Sequence, residues 1–132
     1  MANQPQYVGT PKVGMTEIAI SNSNRDGSGT VNTVFSAGSS GSRIDAINIK
    51  ATGNTIAGMV RLFIHDGSTA RLMTEVPVVA ITASNTSPSF EIQLNTNTMT
   101  QTLPIILQTG YSLRASTQFA NSFNIIAVGG DF

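Results

Sequence analysis

The chain has no cysteine, no tryptophan, one histidine and two lysines, and no apolar run approaches membrane-spanning length. Without cysteine there is neither a disulfide nor a thiolate metal site. Without about 20 consecutive apolar residues, no spanning helix is expected. Seven acidic and seven basic residues balance to zero, with no block of one sign. Electrostatic attraction to nucleic acid or to an anionic membrane is therefore not expected. Tyr7 and Tyr111 are the only tyrosines, which weakens a sugar-binding cleft built on an aromatic platform and leaves no face for stacking bases.

What the chain has instead is uncharged polarity: 16 Thr, 14 Ser and 11 Asn among 132 residues. These groups hydrogen-bond without the cost of stripping water from a charge. They suit packing against other protein better than catalysis. Zero net charge gives little protection against self-association, a liability for a free monomer and harmless in a subunit built to assemble. The length and a hydrophobic content of 40% fit one domain with one core.

Residues 1–14 are polar, with Pro5, Gly9, Pro11 and Gly14. They read as an extended arm with few contacts inside its own domain. Gln6, Tyr7 and Val8 are its candidate assembly contacts. The arm has no apolar core of a secretory signal, so synthesis in the cytoplasm is the expectation.

From Met15 onward the apolar period is close to two, the signature of half-buried strands. Thr16, Ile18 and Ile20 share one face; Val31, Thr33 and Phe35 share the next. Ile47, Ile49 and Ala51 alternate with Asn48 and Lys50, and Val60, Leu62 and Ile64 with Arg61, Phe63 and His65. The Ala70–Ala80 segment carries Pro77, which cannot donate to a ladder, so this strand is broken, bulged or at an edge. Phe90, Ile92 and Leu94, then Tyr111, Leu113 and Ala115, then Ser122–Val128 complete about eight strands. Clusters of Gly, Pro, Asn and Ser separate them, and Met99–Gln108 has room for one short turn. The pattern predicts an all-β antiparallel sandwich over residues 15–132, of jelly-roll type by its strand count; an immunoglobulin-like sandwich also fits, though its Cys…Trp…Cys framework is missing.

Candidate chemistry is sparse. His65 and Asp66 are adjacent, and neighbouring strand residues point to opposite faces. They do not form a dyad, and His65 is expected to end a strand with a structural hydrogen bond. Asp26-Gly27-Ser28-Gly29 lacks the alternating ligands and closing Glu of a calcium loop and reads as a flexible hairpin loop. No phosphate-binding glycine motif is present. No catalytic residue, cofactor or metal site is predicted.

Several segments carry a resemblance: Val60-Arg61-Leu62-Phe63-Ile64-His65-Asp66-Gly67, Pro88-Ser89-Phe90-Glu91-Ile92, Leu103-Pro104 leading to Gly110-Tyr111-Ser112-Leu113, and the tail Ile125-Ile126-Ala127-Val128-Gly129-Gly130-Asp131-Phe132. Together, over roughly residues 43–132, they resemble small virion structural proteins of tailed bacteriophages, most closely the capsid decoration (cement) proteins. The resemblance implies a jelly-roll that assembles as a homotrimer on the capsid surface. It implies contact with the major capsid protein, and neither nucleic acid, membrane nor small-molecule ligand as partner. Three other readings stand beside it: a tail or fibre-tip protein binding a host receptor such as a glycan, the coat protein of a small virus, and an enzyme. The coat reading is weakened because residues 1–14 hold only one basic side chain, Lys12, for contact with a genome.

Overall fold

The computed structural model describes residues 8–94 and 104–132, and these form strands and no helix. The strands are β1 (Thr10–Ile18), β2 (Asn32–Ser36), β3 (Ser42–Ala51), β4 (Gly58–His65) and β5 (Ala70–Val78). They are followed by β6 (Glu91–Leu94), β7 (Ile105–Leu107), β8 (Ser112–Thr117) and β9 (Phe123–Asp131). One antiparallel sheet runs β1-β9-β3-β6, with β7 sharing the outer edge of β3; the other runs β2-β8-β4-β5. The two sheets pack face to face as a β-sandwich. Only β4 and β5 are consecutive neighbours in one sheet; the chain otherwise passes repeatedly between sheets.

The core is the set of inward positions that the period of two puts on facing surfaces. Ile44, Ile47, Ile49, Ile125 and Ala127 from one sheet meet Val34, Val60, Leu62, Leu113 and Ala115 from the other, all buried. Phe90 and Phe123 meet edge to face at a centroid distance of 6.3 Å. Each fully buried Ile, Leu or Phe contributes about 1.5–3 kcal/mol of transfer free energy.

The strand carrying Pro77 is both an edge strand and bulged. β5 has one neighbour, and its register with β4 slips between Leu62 and Phe63. Tyr111 and Leu113 both pack on the core, as their shared face predicts.

Four expectations need correction. The arm does not extend to residue 14, because β1 begins at Thr10 and pairs with β9 from Thr10↔Asp131 to Ile18↔Phe123. Backbone pairing outweighs the weak apolar signal of Thr10–Gly14. Ile20 does not join the inward face of Thr16 and Ile18, since the strand ends at Ile18 and Ile20 is exposed. Within the Met99–Gln108 segment, residues up to 103 lie outside the described set, and Ile105–Leu107 is a ninth strand on β3. The fourth concerns residues 19–31. They form no hairpin but a strap joining strands of different sheets.

The strap crosses the outer face of the four-stranded sheet. Asn22 N–H donates to Thr117 O at 2.8 Å, Arg25 reaches Glu75 at 2.6 Å, and Gly27 lies against Ala70. Asn22 is its buried hub: Nδ2 donates to Ser28 O and Thr30 O at 2.9 Å each, while Oδ1 accepts Asn24 N–H at 3.0 Å. Beneath the strap, Arg61, Phe63 and Ser116 are buried on the face away from the core.

Candidate assembly surface

The two outer faces of the sandwich are treated differently by the chain itself. The four-stranded sheet is covered by the strap. Across the five-stranded sheet the outward rows follow the register. Val13, Val128 and Ala46 lie abreast, and Met15, Ile126, Asn48 and Gln93 form the next row. Glu17, Asn124, Lys50 and Glu91 make a polar row beyond them. Val13, Met15 and Val128 are 54%, 68% and 46% exposed. These side chains surround an open apolar patch, continuous with a hollow of about 300 Å³ lined by Met15, Thr16, Glu17, Asn124 and Ile126. Asn48 Oδ1, in the same row as Met15, is buried without a hydrogen-bond partner among the described residues. A second hollow, of about 430 Å³, lies by exposed Ile106, Phe132 and the Ser39–Gly41 turn.

The charged groups do little to oppose contact there. Lys12 pairs with Asp131 (3.3 Å), Arg43 with Asp45 (2.6 Å), Lys50 with Glu91 (3.8 Å), and Arg25 and Arg61 share Glu75 (2.6 and 2.7 Å). Arg25 and Arg61 both hydrogen-bond the Glu75 carboxylate and hold it below its ordinary value near 4.5. At the other end of the sandwich, Ser42 Oγ donates to Asp131 at 2.5 Å, and the hydroxyl in turn accepts Gly38 N–H at 2.8 Å. The Ser42 bond, followed by Lys12, keeps Asp131 below 3.8 against the opposing effect of burial. Lys12 also lies 4.8 Å from the centroid of the Phe35 ring.

This latch explains the Gly129-Gly130-Asp131 ending. A Cβ on Gly129 would sit 1.8 Å from Arg43 O, where the β3 ladder bulges between Ile44 and Ala46. A Cβ on Gly130 would meet Val8 Cγ1 at 1.9 Å and Thr10 O at 2.5 Å. Only glycine leaves room for both approaches.

Of the three candidate arm contacts, Gln6 and Tyr7 lie outside the described residues. Val8 is described, and it packs on Gly130 of its own sheet. Sequence reasoning missed the exposed residues Val13, Met15 and Val128 and the half-buried Ile126 between them. A signal was present: Ile125-Ile126-Ala127-Val128 is apolar without alternation, so this strand offers apolar side chains to both faces.

His65 ends β4, and its Nδ1 accepts Gly67 N–H at 3.0 Å, the structural bond expected of it. Asp66 Oδ1 accepts the N–H groups of Thr69 and Ser68 at 2.7 and 2.9 Å, which hold it below 3.8. The two side chains serve the Asp66–Thr69 turn and not each other. Asp26 is used likewise, accepting from the Ser28 hydroxyl and N–H at 2.6 and 3.0 Å. Among the described residues no three His, Cys, Asp or Glu side chains converge as a metal site would require.

No protein-family model matches this chain, and no curated protein matches it.

Proposed function

We propose that this chain is a bacteriophage virion structural protein, a capsid decoration protein that stabilises the head lattice by protein–protein contact and carries out no catalytic step. The observation that carries this reading is the open apolar face on Val13, Met15, Ile126 and Val128, beside an opposite face that the chain covers itself. An exposed apolar patch with a polar border is the usual mark of an interaction surface. The sequence resemblance supplies the kind of partner, a major capsid protein.

The jelly-roll reading belongs to the same proposal. A jelly-roll folds two Greek keys into two four-stranded sheets. The orders β1-β9-β3-β6 and β2-β8-β4-β5 support it, with β7 as an addition on β3. The ion pairing of Lys12, Arg43 and Lys50 with Asp131, Asp45 and Glu91 supports contact through uncharged surface. A stable interface of this kind buries roughly 800 Å² per partner.

The test is to add purified protein to phage heads lacking decoration and image the particles. Ordered density on the head surface, with heads more resistant to heat, is the expected result. Density confined to the tail, with binding to a glycan array, would instead establish the receptor-binding reading. Absence of binding to any particle would overturn both.

A further inference from the structure

Among the described residues, strand β1, nine residues long, is an edge strand. Which of its backbone groups are free follows from the ladder. Thr52 N–H donates to Ser122 O at 3.0 Å, in line with the β3–β9 register. Because backbone direction alternates, the even residues of β9 bond to β3 and the odd ones to β1. Phe123, Ile125 and Ala127 therefore bond Ile18, Thr16 and Gly14. Val13, Met15 and Glu17 turn their N–H and C=O groups to the open edge. An independent contact agrees: Asn32 Nδ2, from the other sheet, donates to Glu17 O at 2.7 Å. Pro11 is in the same phase, and its missing N–H falls on the open side.

We propose that two copies of this chain join by antiparallel pairing of β1 with β1 about a two-fold axis at Gly14, extending the five-stranded sheet across both molecules. In this register Val13 lies opposite Met15 of the second copy. Each gives its N–H to the other's carbonyl, so the axis generates four hydrogen bonds. Pro11 falls opposite Glu17, and Lys12 opposite Thr16, so no like charges meet. The pairing weakens at its ends. Pro11 has no N–H to give, and the carbonyl it would have faced, Glu17 O, is already taken by Asn32, which leaves at most the bond from Glu17 N–H to Pro11 O there. Most long edge strands are blunted by charge or bulges along their length; here the restraints sit only at the two ends of a four-bond window. A contact between identical patches closes with two molecules and propagates no further along this edge. Val13 and Met15 of both copies, flanked by Val128 and Ile126, then form one apolar band across the junction.

The pairing needs no capsid and does not rest on the functional reading. It is tested on the purified full-length chain by sedimentation equilibrium, with amide hydrogen exchange followed by NMR. The expected species has twice the 13.8 kDa chain mass, with Val13 and Met15 amides protected. Met15→Pro removes an N–H that the ladder directs away from β9 and that pairs with no strand among the described residues, so strand content by circular dichroism is retained while the mass falls to that of one chain. The double variant Val13→Lys/Met15→Lys keeps every backbone donor, sets like charges opposite each other and gives the same loss of the dimer. A monomer at the highest soluble concentration, a trimer, or a dimer that survives both variants would each overturn the proposal.

Discussion

Asn22 shows how much one uncharged side chain does in this molecule. It is buried, and its amide satisfies Ser28 O, Thr30 O and Asn24 N–H at once. Replacing it by alanine leaves those backbone groups without their partner under the strap. Asn22→Ala is expected to cost about 1–3 kcal/mol, read as a lower urea midpoint at unchanged slope. The carboxylates give a second prediction at this scale. Asp131, Glu75, Asp66 and Asp26 all sit below their ordinary values of 3.8 or 4.5, chiefly through hydrogen bonds to the charged form. A lowered folded value means that the unfolded chain binds protons first. Their stabilisation is thus complete above the ordinary values and disappears as pH falls through the lowered ones. Thermal midpoints measured down a pH series should be level above about pH 5 and fall below pH 4. A midpoint that rises on acidification would contradict these bonds.

Individual side-chain roles were unevenly legible in the sequence. His65 as a strand-end residue followed from one period and one turn. The burial of Arg61 and Phe63 did not. Both alternate correctly onto the face away from the core, which a sandwich normally leaves to solvent. They are buried because a strap 30 or more positions earlier in the chain crosses that face, and no local pattern encodes a covering of that kind.

At the scale of elements, β9 organises the five-stranded sheet. It lies between β1 and β3 and bonds both along its full length. Its passage beside Arg43 depends on Gly129. Gly129→Ala places a methyl group 1.8 Å from a backbone oxygen that belongs to the neighbouring strand. The strand must shift, at an expected cost of about 3 kcal/mol, measurable by chemical denaturation. Gly53, where an added Cβ meets nothing within 4 Å, is the control: Gly53→Ala should leave the denaturation midpoint almost unchanged. Seven of the eight strands expected from alternation lie within a few residues of their observed positions. Alternation begins five residues into β1 because Thr10–Gly14 has almost no apolar content. β7 has no sequence signature because three residues carry too little periodicity, and it exists by pairing with β3.

For the whole molecule, the consequence of zero net charge is that surface contact meets no general repulsion. The apolar face should then be separable from stability. Val128 is 46% exposed and is not among the residues of the buried core. Val128→Lys is expected to change stability by no more than about 0.5 kcal/mol and to abolish the proposed binding to undecorated heads, as measured in particle-binding assays. If the variant binds as the parent does, the five-stranded face is not the contact surface.

Composition and alternation by themselves determined an all-β chain with one core, a nearly uncharged surface, and most strand positions. These are local properties: the period of two depends on backbone geometry at each residue, and charge is additive. Which outer face stays open was decided only by tertiary structure. The same alternation places Phe63 and Val128 on outward positions, and long-range packing alone buries the first beneath the strap and leaves the second in solvent. The free edge of β1 is likewise a property of strand order. No sequence pattern states that β9, and not another strand, lies beside β1, or that Asn32 reaches Glu17.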